Sequence, residues 1–334
     1  MALAARTTLA LVAERAGVSV ASVSRVLNDF PASPELARRV RDAVEELGYV
    51  PDATARSLKA GKTLQIALAV ADVGNPVYVS MMRAVSEVVG RSGYRLVLSS
   101  TGSDPKDQVE LLQSLNHGFV DGLILSPLRL SEELLDEIRR SRLPIVVIGS
   151  MPADVEIDSV RADSATGIGL AMTHLYEQGR RRIAFINGPV DTVPGAARLS
   201  GFVRSLARLE LPSSSELQVE ASDFTYQPGL AAAERLFEQS TPDAIVCAND
   251  LLAIAAIKVA TRRGLAVPAD VAIVGMDDTE VGELSNPSLT SVNLGSALRA
   301  EEAANLLISR LADPTLEPRR LVVPPSLTVR ESTS

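Results

Sequence analysis

Residues 8–28 read TLALVAERAGVSVASVSRVLN, and this stretch decides how the N-terminal part of the chain folds. Leu9, Val12, Ala13 and Ala16 recur at three- and four-residue spacing, which lays one apolar stripe along a helix. Gly17 breaks the pattern, and Ser19 is a good N-cap for a second short helix. In that helix Val20, Val23, Val26 and Leu27 can face inward. Ala21, Ser22, Ser24, Arg25 and Asn28 are left outside: small, hydrogen-bonding or cationic, and none acidic. Two short helices, a tight glycine turn and a carboxylate-free outer face fit a helix-turn-helix whose second helix enters a DNA major groove. The spacing alone also suits an ordinary helical hairpin packed in a core.

Working outward, Asp29 to Pro34 is a turn-rich loop, with Ser33 placed to cap a third helix and Pro34 at its first position. That helix runs over about Glu35 to Leu47, with Leu36, Val40, Ala43, Val44 and Leu47 on one face, and Gly48 ends it. Residues 1–50 thus form a headpiece. Residues 51–62 are a linker in which Asp52 or Thr54 caps a short helix through Ala55 to Lys59, too short to be stable alone in water.

From Gln65 on, short aliphatic runs alternate with helical patterns. Strands are expected at Gln65–Ala71, Tyr94–Ser99, Gly122–Leu125, Ile145–Ile148, Ser159–Arg161, Arg182–Ile186, Gln218–Glu220, Ala244–Ala248 and Val271–Val274. Helices are expected near Val77–Ser92, Pro105–His117, Glu132–Arg140, Ala165–Gln178, Ala197–Leu209, Gln227–Gln239, Asn249–Arg263 and Ser296–Arg310. Residues 63–334 therefore read as an α/β domain of two doubly wound parallel-sheet lobes, about 63–161 and 162–290, with the tail crossing back. Arg319 to Ser334 reads as a last strand plus a short tail.

Such lobes bring strand C-termini around a shared cleft, where small ligands bind. The strand ends supply Asp72, Tyr78, Ser126, Asp163, Arg198, Phe224, Asn249 and Asp277. Carboxylates, an amide and a guanidinium beside aromatic rings suit a polyhydroxyl ligand, because they pair with vicinal hydroxyls while rings cover C–H faces. Asp72, Asp163 and Asn249 serve equally well as helix caps, and Tyr78 and Phe224 as core aromatics. Asp250 and Asp278 read as supporting or interface groups.

The net charge of −8 is unevenly distributed. Residues 1–62 hold nine Lys and Arg against seven Asp and Glu, a net of +2; residues 63–334 hold 24 against 34, a net of −10. A mildly basic head remains compatible with phosphate contacts, and its small surplus suggests that two heads act together. No run of 18 apolar residues occurs, so no membrane span is expected. The lone Cys247 excludes an internal disulfide and a cysteine metal cluster. Only His117 and His174 are present, Gly-x-Ser-x-Gly is absent, and Gly167-Ile168-Gly169 lacks the third glycine of a dinucleotide loop. Catalysis, a cofactor and a metal are therefore not expected.

Thr8, Leu9, Val12, Ala13, Ala16, Gly17, Val18, Ser19, Val23, Ser24, Arg25, Val26, Leu27 and Asn28 all lie on one pattern, which continues through Gly48-Tyr49-Val50-Pro51, Ala55-Arg56-Ser57-Leu58-Lys59 and down the whole chain. The chain resembles the lactose/galactose-repressor (LacI/GalR) family. The resemblance implies a cytoplasmic transcription regulator, a repressor of a catabolic operon, bound as a homodimer to a pseudo-palindromic double-stranded operator and governed by a sugar-like effector. Val20, Ala21 and Arg25 then set base choice, since apolar side chains contact thymine methyls and arginine forks to guanine. Ser19, Ser22, Ser24 and Asn28 hold phosphates or orient the helix, and Thr8 joins the DNA-binding set. The resemblance makes the linker a hinge helix, with Leu58 wedged into the minor groove and Arg56 and Lys59 near phosphates. It builds the effector domain like the periplasmic sugar-binding proteins, and puts Asp163, Arg198, Asn249 and Asp277 on effector-contacting positions, with Asp72, Tyr78, Ser126 and Phe224 beside them. A solute-binding protein without transcriptional role is the competing reading.

Deleting residues 1–62 separates the two: sugar binding should survive and DNA binding should vanish, as read by calorimetry and gel shift. The C-terminal stretch carries no leucine heptad extension. Light scattering at micromolar concentration should accordingly give a mass near two chains; a mass near four overturns the dimer.

Overall fold

The computed structural model describes residues 7–28, 30–50 and 62–334, and the chain divides into two compact units, Met1–Thr63 and Leu64–Ser334. In the first unit α1 (Leu9–Ala16), α2 (Val20–Leu27) and α3 (Pro34–Glu46) each begin at a hydroxyl cap. Thr8 accepts from the Leu11 amide, Ser19 from that of Ser22 and Ser33 from that of Leu36, satisfying backbone donors that a helix start leaves open. Gly17 ends α1 at φ 63°, a left-handed conformation that favours glycine. The Arg39 guanidinium of α3 donates to the carbonyls of Ala16 and Gly17, so the third helix locks the turn between the first two. Val12, Ala13, Ala16, Val23, Val26, Val40 and Ala43 form the core. Val20, expected to be able to face inward, is instead 46% exposed. The core is small and filled by Val23 and Val26, so the first residue of α2 sits at its rim. Arg56, Leu58 and Lys59 of the linker lie outside the described residues.

Two sheets of six strands organise the second unit among the described residues. The first has the order β11–β5–β4–β3–β1–β2, with all pairs parallel: β1 Gln65–Val70, β2 Arg95–Ser100, β3 Gly122–Ser126, β4 Ile145–Ile148, β5 Asp158–Ala162 and β11 Arg320–Val323. The second has the order β12–β10–β9–β8–β6–β7: β6 Ile183–Asn187, β7 Gln218–Glu220, β8 Ala244–Cys247, β9 Ala272–Met276, β10 Thr290–Asn293 and β12 Ser326–Thr328. Only β12 runs antiparallel to its neighbour. β1, β3, β4, β6, β8 and β9 are almost wholly buried, which explains why they read as unbroken aliphatic runs rather than alternating ones.

The structure departs from the sequence expectation at the C-terminus. The single expected last strand is two short strands, one for each sheet, because the Pro324-Pro325 pair that separates them supplies no ladder donors. β10 was also not expected; its Thr-Ser-Val-Asn composition is polar although Thr290, Ser291 and Val292 are buried. The helix Ser296–Ala312 (α12) packs on the helix Val77–Arg91 (α4) of the first lobe, so the chain changes lobes after β5, after β10 and after β11. The helix expected at Ala197 starts at Val193, because Pro194 is tolerated in a first turn capped by Thr192.

Helices α7 (Ser164–Glu177) and α8 (Val193–Arg208) cross at Gly201, where an added Cβ would lie 2.8 Å from both the Cα and the carbonyl oxygen of Ala165. Gly169, on the same pair, would place its Cβ 3.8 Å from Ser205 Oγ, an ordinary contact. Gly201→Ala should therefore destabilise by roughly 1–3 kcal/mol through overpacking. Gly169→Ala should be neutral or stabilising by up to about 1 kcal/mol, the gain in helix propensity. Urea midpoints of the two variants check the contrast; equal shifts would remove the close crossing as its cause.

Candidate functional site

The outer face of α2 is the first candidate. Ser19 Oγ lies 2.9 Å from Ser22 Oγ, and Asn28 Nδ2 donates to the Ser24 carbonyl at 2.6 Å, so part of the polar face is held by its own helix. Arg25 Nε donates to the Pro31 carbonyl at 2.9 Å, fixing the stem of an exposed side chain. Val20 and Ala21 are exposed beside it. Glu14 and Arg15 close α1, and an Arg15–Glu46 ion pair ties that end to α3.

The second candidate is the cleft between the two sheets. Its first-lobe wall comes from the loop after β1 (Asp72, Asn75), from Tyr78 in the first turn of α4, from Ser126 at the end of β3 with Pro127 and Leu128, and from Gly149 and Ser150 after β4. The second lobe contributes Val193, Pro194 and Arg198 of α8, Asp223 to Thr225 after β7, Asn249 after β8 and Asp277 after β9. Both walls are thus built from loops and helix starts at the C-terminal ends of parallel strands.

Arg198 and Asp277 are buried, with Nη2 and Oδ1 3.7 Å apart, and the Arg198 guanidinium lies over the Phe224 ring at 5.6 Å. Gly188 leaves room for that ring: a Cβ there would meet Phe224 at 2.3 Å. Burial pushes the Asp277 carboxyl up to about 7 although Arg198 and Arg299 pull it down. Burial likewise raises the Tyr78 phenol, with Asp277 adding to the shift and a hydrogen bond to Ser126 opposing it. Asn249 caps the helix Asp250–Arg262 (α10) by accepting from the Leu252 amide at 2.9 Å, and its Nδ2 donates to the Phe224 carbonyl at 2.7 Å. It lines the cleft while bracing it. Asp72 is exposed at the mouth and accepts from the Gly74 amide.

Of the eight residues expected around the ligand, seven line the cleft and Asp163 does not. Asp163 caps α7, accepting from the Thr166 amide at 3.0 Å and from Thr166 Oγ1 at 2.8 Å, bonds that hold its carboxyl below its usual range. Its neighbours Ala162 and Ser164 line the cleft instead. Asp250 and Asp278 act as supports. Asp250 accepts from the amide and hydroxyl of Thr279 and from Ser291 Oγ. Asp278 accepts from Asn293 and Thr328 and pairs with Arg330.

Arg299 lines the cleft and was not singled out in the sequence. A signal was present: in α12 it falls on the buried stripe with Ser296, Ala300, Ala303, Ala304 and Leu307, where a cation is out of place. Arg161 and Asp223 were missed as well, since neither breaks a pattern. Across the mouth, Arg129 grips Asp191 with two bonds, Nε to Oδ2 at 2.8 Å and Nη2 to Oδ1 at 3.0 Å, and the Val193 amide donates to the Leu128 carbonyl. No helix among the described residues is long and apolar enough to cross a membrane.

Comparison with known proteins places both halves. Residues 8–52 match the model of bacterial regulatory proteins of the lacI family, and residues 172–333 match the periplasmic binding protein-like domain. The HTH-type transcriptional regulator CelR of Thermobifida fusca is 37% identical, with 98% of each chain aligned. The ribose operon repressor of Escherichia coli is 33% identical over 97% of this chain and 99% of its own. Among solved structures, the CelR–cellobiose complex superposes with a TM-score of 0.75 at 35% identity, covering 98% of this chain and 100% of that one. The lac repressor dimer bound to operator and the anti-inducer ONPF superposes at 0.86 and 25% identity, covering 99% and 100%. These relatives are regulators rather than enzymes or transport receptors, and their likeness runs the length of the chain. This protein belongs to the lacI family of bacterial regulatory proteins.

Proposed function

We propose that the chain is a cytoplasmic, homodimeric repressor of a catabolic operon, switched by a sugar-like effector held between its two lobes. One pairing carries the reading: a helix face without carboxylates, Ser19 to Asn28, in the same chain as a cleft lined by polar strand-end groups from both lobes. The cellobiose bound to the related CelR and the operator bound to the lac repressor are the same two partner classes.

In this reading two headpieces enter successive major grooves of a pseudo-palindrome, because a net charge of +2 gives one head little phosphate affinity. Val20 and Ala21 meet thymine methyls, and Arg25 forks to guanine with the terminal nitrogens left by its bond to Pro31. Thr8, Ser19, Ser22, Ser24 and Asn28 take phosphates or hold the helix. Arg56, Leu58 and Lys59 of the linker open the minor groove, where an apolar wedge unstacks one base step. Asp72, Tyr78, Ser126, Arg198, Phe224, Asn249 and Asp277 hold the effector. It acts only through better binding to one lobe arrangement than to the other.

Arg25→Ala should lose roughly 1–3 kcal/mol of operator preference while leaving non-specific affinity nearly intact. Titrations of operator and random duplex at one salt concentration measure the ratio. If that ratio does not change, Arg25 is not the base reader.

A further inference from the structure

The charge balance at the back of the cleft says more about the ligand. Arg198 and Asp277 belong to the second lobe, and Arg299 reaches in from α12 on the first. All three are nearly closed to solvent, at 7%, 7% and 9% exposure. Arg198 stands beyond hydrogen-bond distance of Asp277, and its Nε is buried with no partner among the described residues. Arg299 uses Nε on the Leu294 carbonyl at 3.0 Å, and its terminal nitrogens make no hydrogen bond among the described residues. Two guanidiniums therefore share Asp277. The second buried carboxylate, Asp250, acts on Arg198 but is held by Thr279 and Ser291. Arg299 thus has no carboxylate within ion-pair distance among the described residues, and most of the guanidinium donors are unused. Burial lowers Arg299 to about 10, Asp277 resists that, and Arg198 adds to it by repulsion.

A buried cation with no counter-charge costs several kcal/mol even after the protein relaxes around it. The other charges lining the cleft do not supply one: Asp72 and Arg161 are exposed and Asp223 half-buried, where water screens them. A neutral polyol would satisfy the free N–H groups but leave the charge. A group with two or three anionic oxygens would satisfy both, because it matches the planar guanidinium fork. Since the arginines come from opposite lobes, such a group also relieves a repulsion that lobe closure creates, which gives it the preference for one arrangement that a switch requires.

We propose that the effector is an anionic polyol, a sugar or sugar derivative carrying a carboxylate or a phosphate, and that Arg299 selects it. This rests on the cleft being the effector site. The test is calorimetric titration of the full chain with matched trios: glucose, glucuronate and glucose 6-phosphate, and the corresponding galactose and ribose sets. In at least one trio a charged member should bind at least about tenfold more tightly than its neutral parent, a difference of about 1.4 kcal/mol. Which charged member does so separates carboxylate from phosphate. Arg299→Leu should abolish that ratio and Arg299→Lys keep part of it, with a cooperative circular-dichroism melt as the check that each variant folds. If a variant does not fold, the trios on the unaltered chain still decide. Neutral sugars binding as well as their acids and phosphates, or a ratio that survives Arg299→Leu, sinks the charge assignment and leaves the sugar-switch reading standing. Binding by no member of any trio counts against both.

Discussion

Two adjacent carboxylates in left-handed backbone hold the effector unit together at its most consequential point. Asp277 and Asp278 have φ values of 107° and 51°, which non-glycine residues seldom adopt and which costs of order 1–3 kcal/mol each. Such strain persists only where the surroundings over-determine it, and here they do. Asp250 accepts from both the amide and the hydroxyl of Thr279, and from Ser291 Oγ, while that same serine oxygen accepts from the Asp278 amide. The strained turn sends the two side chains to different tasks: Asp277 meets Arg198 in the cleft, and Asp278 gathers Asn293, Thr328 and Arg330. Asn293 in turn accepts from the amide of Gly295, where β10 hands over to α12. A ligand that touches Asp277 is one peptide bond away from the group that secures the passage between lobes.

That passage is crowded by design of the topology. Where the chain leaves β10 it meets the strand that ends before the last crossing: Gly295 has φ 65°, and a Cβ on it would lie 2.5 Å from Val323. Leu294, just before it, lines the cleft, and Arg299 bonds to the Leu294 carbonyl from one turn into α12. The backbone crossings, the strained turn and the buried charges are thus neighbours. Two of the three lobe crossings thus pass residues that line the cleft, Ala162 and Leu294.

Much of this was legible in the sequence because the physics involved is periodic or local. Buried parallel strands announce themselves as aliphatic runs, and the headpiece caps Thr8, Ser19 and Ser33 are short-range hydrogen bonds that residue order alone specifies. What escaped is what packing decides. β10 is polar in composition and buried only because Asp250, Ser332 and Thr333 satisfy its side chains and amides from elsewhere in the chain. Asp163 offers the chemistry of both a cap and a ligand, and the structure gives it the cap, through the Thr166 amide and hydroxyl three residues on. Arg299 comes from a helix some hundred residues after Arg198 in sequence, and only the return of α12 to the first lobe brings the two together.

Among the described residues, the Arg129–Asp191 pair at the mouth and the buried charges at the back of the cleft couple the lobes, and their magnitudes rank them. The Arg129–Asp191 pair at the mouth is bidentate, yet Asp191 is 65% exposed, and pairs so open to water are worth only about 0–1 kcal/mol. Arg198, Asp277 and Arg299 sit in low dielectric, where removing or adding one charge changes the energy by several kcal/mol. The mouth pair therefore adds a small bias toward closure that salt weakens. A charge brought to the back of the cleft, beside Arg198, Asp277 and Arg299, therefore weighs far more than the pair at the mouth.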